Sequence, residues 1–309
     1  MKKLYLWFLF FSVLTTLAAQ DPTARVQIIH NSPEPTVDIY ANDDLLFDDV
    51  AFRAATPFFD VAAGVEIQIG VAPADSESAD DAIVTFPITF EADRTYIVTA
   101  GGIVGSATTP FSLFVNDMGR EAAENADNVE VTFHHGVPGA PPVDIIARGS
   151  GPLFSGVSYG TYTDYASLPP DQYFLDVAVP SLGGATLATG LADLRGLAGQ
   201  SATVFASGLL AGEPTLGVFA ALADGTVVEI PIVETARLQI IHNSPEPTVD
   251  IYVNGDLLLD DFTFRSATPF IDVVAETELD IAVAPGDSES ADDAIANFPV
   301  TLDADGTFV

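Results

Sequence analysis

Four histidines, two copies of an acidic loop and one serine in a glycine frame are the side chains of this chain best suited to chemistry. His30, His134, His135 and His242 all fall in one recurring segment, Ile28-Ile29-His30-Asn31-Ser32-Pro33 in its first form. Imidazoles bind metals or move protons only when acids or other histidines converge on them. Copies spaced one per repeat cannot form a single site, and alternation with Val26 and Ile28 turns His30 inward, where a neutral ring would satisfy backbone groups at the Ser32-Pro33 corner. The acidic loop Asp75-Ser76-Glu77-Ser78-Ala79-Asp80-Asp81 returns unchanged as Asp287-Ser288-Glu289-Ser290-Ala291-Asp292-Asp293. Calcium takes six to eight oxygens, so Asp75, Glu77, Asp80 and Asp81, with Asp287, Glu289, Asp292 and Asp293, are candidate ligands, and Asp48-Asp49 and Asp260-Asp261 are further ones. The spacing lacks the glycine and distal glutamate of an EF-hand, and the alternative is a solvated acidic loop. Gly156-Val157-Ser158-Tyr159-Gly160 fits the pattern of a hydrolase nucleophile elbow. That device needs a helix after the serine, whereas Thr161-Tyr162-Thr163-Asp164-Tyr165 is strand-like, so the segment reads as a turn. Asp38 and Asp250, each within Val-Asp-Ile, read as outward strand residues or corner partners, and no residue is assigned a catalytic role.

The elements that must position these residues are repeats. Residues 24–40 return as residues 236–252 with one change, Val26 to Leu238, and about 51 of the 74 positions from Ala24 to Ile97 are identical in the later copy. A divergent copy lies midway, with Val143-Asp144-Ile145 falling 106 residues after Val37-Asp38-Ile39. The chain therefore divides into repeats at 24–129, 130–235 and 236–309, in the order A-B-A. The third copy stops where the first has reached Ile97, which leads to the expectation of a truncated repeat. Within a repeat, Ile67, Ile69 and Val71 alternate with Gln68 and Gly70, and Asn254-Gly255 separates two apolar runs as a hairpin turn. The expected fold is all-β: tandem immunoglobulin-like or transthyretin-like β-sandwiches of about 106 residues, six to eight strands each, strung as beads with modest interfaces. Ile28, Ile39, Ile67 and Ile69 should face the core, and Gln27 and Glu66 should face water.

The Ala-Arg-(Val/Leu)-Gln-Ile-Ile-His-Asn-Ser-Pro opening, the following Val-Asp-Ile-Tyr and the alternating strand ending in Val-Ala-Pro resemble the bacterial secreted domain of unknown function 4397. The resemblance covers nearly all of residues 24–309. It implies an exported protein of Bacteroidetes type and nothing about activity.

Composition narrows the function. Ten Lys and Arg stand against 44 Asp and Glu, a net charge of -34, which repels phosphate backbones and anionic lipid and excludes nucleic acid as a partner. Without cysteine there is no disulfide, thiolate nucleophile or cysteine-ligated metal. Lys2 and Lys3, the only lysines, precede an apolar stretch that ends at Ala18-Ala19, so residues 1–19 read as a secretory signal peptide. The chain after cleavage carries a net charge of -36, no lysine for Schiff-base or P-loop chemistry, and no apolar run long enough to span a membrane. The expected product is a secreted or outer-surface protein without catalysis, serving adhesion or structural display, with an extracellular protein or glycan as partner. The alternatives are a carbohydrate-binding accessory module and a calcium-stabilised surface repeat. The only tryptophan, Trp7, lies in the signal segment, which leaves Tyr40, Tyr159, Tyr162 and Tyr252 for a sugar platform. No cofactor is expected apart from the calcium candidate.

Overall fold

The computed structural model describes residues 21–309, so the signal peptide expected at residues 1–19 lies outside the described residues. The chain is all-β: three tandem two-sheet repeats, interrupted by single 3-10 turns at Ala79–Asp81, Pro180–Leu182 and Ala291–Asp293. No helix among the described residues is long and apolar enough to cross a membrane.

The first repeat contains β1 (Thr23–Asn31), β2 (Val37–Ala41), β3 (Asp44–Val50), β4 (Phe59–Ala62), β5 (Glu66–Pro73), β6 (Val84–Thr89), β7 (Thr95–Gly101) and β8 (Ser112–Asn116). They form sheets β4-β1-β7-β8 and β3-β2-β5-β6, with β1 and β7 parallel. The period of two does the sorting: Ile28, Ile39, Ile67 and Ile69 are all buried in one core with Phe90 and Tyr96, while Glu66 faces water.

The second repeat contains β9 (Val129–His135), β10 (Val143–Ala147), β11 (Gly151–Val157), β12 (Ala166–Leu168), β13 (Gln172–Val179), β14 (Ala185–Asp193), β15 (Ser201–Ser207), β16 (Gly217–Leu222) and β17 (Val227–Ile230). Its sheets are β12-β9-β15-β16-β17 and β11-β10-β13-β14. The third repeat contains β18 (Thr235–Leu238), β19 (Val249–Val253), β20 (Asp256–Phe262), β21 (Ile271–Val274), β22 (Glu278–Pro285), β23 (Ala296–Thr301) and β24 (Thr307–Phe308). Its sheets are β21-β18-β24 and β20-β19-β22-β23. The expected hairpin joins β19 to β20, with Asn254 and Gly255 both at positive φ, 52° and 89°, as a tight turn between twisted strands requires.

The expectation of beads with modest interfaces fails for the first two repeats. The outer face of β1 and β7 packs on β15 and β16, enclosing Ile29, Phe58, Ile97, Phe205, Phe219 and Ala221 in a second core that belongs to neither repeat alone. Gln27, expected to face water, is 1% exposed; its amide donates to the Thr56 carbonyl at 3.0 Å and, across the interface, to the Leu222 carbonyl at 2.7 Å. Asn31 donates to the Ala206 carbonyl at 3.1 Å, and Arg53 donates to Ser207 and Thr215 while lying 4.3 Å from the Phe219 ring centroid. The segment between β8 and the second repeat is likewise tied down, by pairing of Glu121 with Arg25 at 2.7 Å and of Arg120 with buried Glu130 at 2.5 Å. Alternation alone assigns one inner and one outer face to a strand; here both faces are inner, because a neighbouring repeat covers the outer one.

The third repeat carries the same face in sequence, with Gln239, Ile241, Asn243, Arg265, Ala267 and Phe270 at the matching positions. There it is open. Ile241 is 52% exposed, against 0% for Ile29. Polar contacts join the second and third repeats: Arg148 reaches Asp272 at 3.2 Å and Arg195 reaches Asp256 at 2.7 Å.

Candidate functional site

Three aspartates gather at one corner of the first and third sandwiches, Asp38 with Asp48 and Asp49, and Asp250 with Asp260 and Asp261. Where β2 pairs with β3 the register slips between Val37↔Val50 and Ile39↔Phe47, leaving Asp48 and Asp49 as a bulge with Asp49 at φ 54°. Asp38, 2% exposed, accepts the Asp49 amide at 3.0 Å on one oxygen and the Ser76 hydroxyl on the other, and Ser76 is in turn 2.9 Å from the Tyr40 hydroxyl. Burial would raise the Asp38 pKa, but these donors prevail and hold it below the ordinary carboxylate value. The Asp48 carboxyl, hydrogen-bonded to Asp38 and beside Asp49, is shifted up. The third repeat repeats the arrangement: Asp250 accepts the Asp261 amide at 2.9 Å and the Ser288 hydroxyl at 2.6 Å, and Tyr252 closes it.

The second repeat explains the device. Asp144 accepts the amide of Gly156 at 2.7 Å, and Gly156 stands at φ 62° where the other repeats place an aspartate. The first glycine of the elbow-like pattern is therefore the bulge glycine. Ser158 begins a turn in which its carbonyl accepts from Thr161, and no helix follows. An acid in Val-Asp-Ile followed 11 or 12 residues later by Asp or Gly was the signal in the sequence, and it marks a capped bulge.

The calcium candidates lie beside this corner without converging on it. Asp75, Glu77, Asp80 and Asp81 are exposed, as are Asp287, Glu289, Asp292 and Asp293. Asp81 folds back to accept the amides of Glu77 and Ser78 at 2.8 and 3.1 Å, and Asp293 does the same for Glu289 and Ser290. Among the described residues, the acids whose oxygens come within 4.8 Å of one another are Asp38, Asp48 and Asp49, and Asp250, Asp260 and Asp261. The loop touches those groups through Ser76 and Ser288 only.

The histidines are structural. His30, fully buried, bonds the Pro35 carbonyl through Nε2 at 2.9 Å; His135 and His242 bond Pro141 and Pro247 in the same way. Burial lowers the pKa of His30 and His135, so both rings are neutral. His134 is different: it sits in the interface between the first two repeats, 4.3 Å from the Tyr162 ring and 5.4 Å from Phe114, with neither ring nitrogen hydrogen-bonded. Burial, with His135 adjoining, pushes its pKa down to about 3. Of the tyrosines named for a sugar platform, Tyr159 packs edge-on against Phe114 with its hydroxyl unpartnered, and the other three are hydrogen-bonded. Tyr40 and Tyr252 are buried, and Tyr162 bonds Thr99 across the interface at 2.5 Å.

A search of the curated proteins found no match to the chain. A family model described as a domain of unknown function, DUF4397, matches in three tandem segments, residues 24–132, 129–227 and 236–308. These segments coincide with the three sandwiches, and the chain belongs to the DUF4397 family.

Proposed function

We propose that this is a non-catalytic repeat protein of the cell exterior that adheres through the sheet face carrying Gln-Ile-Ile-His-Asn. The observation that carries this reading is the pairing of the first two repeats. One copy of the face is sealed by a neighbouring sheet through an aromatic core and side-chain bonds to backbone, and the third repeat carries the same face, identical at Gln239, Ile241, Arg265 and Phe270. An apolar residue such as Ile241 ringed by polar groups suits protein association. His30, His135 and His242 and the buried acids Asp38 and Asp250 are committed to structural hydrogen bonds, which fits a scaffold better than an enzyme. Export fits the signal-like segment at residues 1–19.

The occupant best suited to the face in the third repeat is the β15-β16 sheet of a second copy of the chain, the kind of surface that seals the first face. The acidic surface opposes self-association at low ionic strength, and salt screens that repulsion within about 8 Å at 0.15 M. Sedimentation of the intact chain should therefore show concentration-dependent association that strengthens with salt and disappears in Ile241→Asp. A chain that stays monomeric at high protein and salt concentration, indistinguishable from Ile241→Asp, would remove the basis for adhesion through this face.

A further inference from the structure

The second repeat is hollow where the first is filled. Registers place β13 and β14 opposite β5 and β6: Val177 pairs with Ala188 as Val71 pairs with Val84, and Ala202 stands beside Val131 as Tyr96 stands beside Val26. The inward residues of β6 are Val84, Phe86 and Ile88; their counterparts on β14 are Ala188, Gly190 and Ala192. Tyr96, which packs edge-on against Phe90 at 5.0 Å, is replaced by Ala202. Part of the lost volume is recovered by the extra strand β17, whose Ile230 reaches to within 3.1 Å of where a Gly190 Cβ would sit. The rest is not. A cavity of about 480 Å³ opens beside Ala192, Leu194 and Ala202. A second of about 190 Å³ opens beside Ala188 and Gly190, and Phe133, Ile145, Leu175 and Val204 wall both. Tyr173, Leu175 and Val177 are accordingly only half-buried, whereas Ile67, Ile69 and Val71 in the first repeat are 5%, 7% and 2% exposed.

We propose that this hollow binds an uncharged, elongated aliphatic molecule, a fatty alcohol or ester. Two adjoining compartments with shared apolar walls suit a flexible chain, and the larger, of about 480 Å³, falls in the range of small-molecule sites, roughly 300–1,000 Å³. Filling the hollow gains dispersion contacts with its apolar walls. The rim carries exposed Leu187, Leu216 and Val228, which gives such a molecule an apolar approach. The chemistry of the mouth rejects a carboxylate head. Arg195, the cation there, is held by Asp193 at 2.6 Å and Asp256 at 2.7 Å, Glu229 adds a further negative charge, and His135 is committed to the Pro141 carbonyl.

The test is calorimetric titration of the intact chain with 1-decanol and, separately, with decanoate. Saturable uptake of one decanol per chain, with decanoate bound more weakly, is expected. Ala192→Ile with Ala202→Tyr restores the residues of the first repeat; it should weaken decanol binding on the order of tenfold or more and raise the melting temperature of the second repeat. Ala188→Val and Ala192→Ile alone serve if the double variant does not fold, and each should weaken binding. No decanol uptake by the wild-type chain, a preference for decanoate, or unchanged binding by folded cavity-filling variants would each overturn the proposal.

Discussion

Ile29 and Ile241 are the same residue in almost the same sequence, yet removing their side chains should have different consequences. Ile29 is 0% exposed in the core between the first two repeats, and Ile241 is 52% exposed. Truncating a fully buried isoleucine removes its transfer free energy and leaves a cavity, so Ile29→Ala should cost about 2–5 kcal/mol, whereas Ile241→Ala should stay within about 0.5 kcal/mol. The glutamines supply an independent reading. Gln27→Ala strips the donor from two buried carbonyls, Thr56 and Leu222, at about 1–3 kcal/mol each, whereas Gln239 serves only Thr268, so Gln239→Ala should cost about half as much. Multi-repeat unfolding is not two-state, so scanning calorimetry of the full chain is the suitable assay. Core truncations Ile39→Ala and Ile251→Ala assign the transitions to the first and third repeats. The first two repeats should melt together, with Ile29→Ala lowering that transition and Phe205→Ala coupling to it by about 0.5–3 kcal/mol in a double-mutant cycle. Equal effects of Ile29→Ala and Ile241→Ala, with no coupling to Phe205, would mean that the first two repeats do not share a core in solution.

Acid should loosen the same interface. His134 has its pKa lowered from 6.5 to about 3, so the unfolded chain binds its proton more readily; that contribution to stability is complete above pH 6.5 and drains away as the pH falls towards 3. Burial lowers the His30 and His135 pKa values with the same sign, and denaturation at pH 7 and 5.5 should show a smaller pH dependence in His134→Phe than in the wild type. Gly156→Ala, at φ 62°, should cost about 1–2 kcal/mol in thermal melts, and Gly156→Asn less, since asparagine tolerates that region. Because the loop acids do not converge, millimolar calcium and magnesium should raise the melting temperature equally. A calcium-specific rise abolished by Asp80→Ala with Asp81→Ala would instead make the loop a ligand.

Much of this molecule was legible without coordinates, and the limit has a clear cause. The repeat period, the strand faces of Ile28, Ile39 and Ile67, the Asn254-Gly255 turn and the inward histidines all follow from local rules: alternation, turn stereochemistry and the need to pair buried polar groups. What those rules could not reach depends on residues far apart in the chain. Gln27 looked solvent-facing because its partner, the Leu222 carbonyl, lies 195 residues away on a sheet whose docking no periodicity encodes. The hollow of the second repeat was invisible for the same reason: small residues on β14 read as strand residues until register sets them against the bulky side chains of β6. The acids of the loop were chosen by proximity in sequence, whereas convergence of oxygens is a property of the bulge at Asp48-Asp49 and of Asp38 across from it. Local sequence determines which way a side chain points along its own strand; only tertiary packing decides whether water, a neighbouring repeat or an empty space is waiting there.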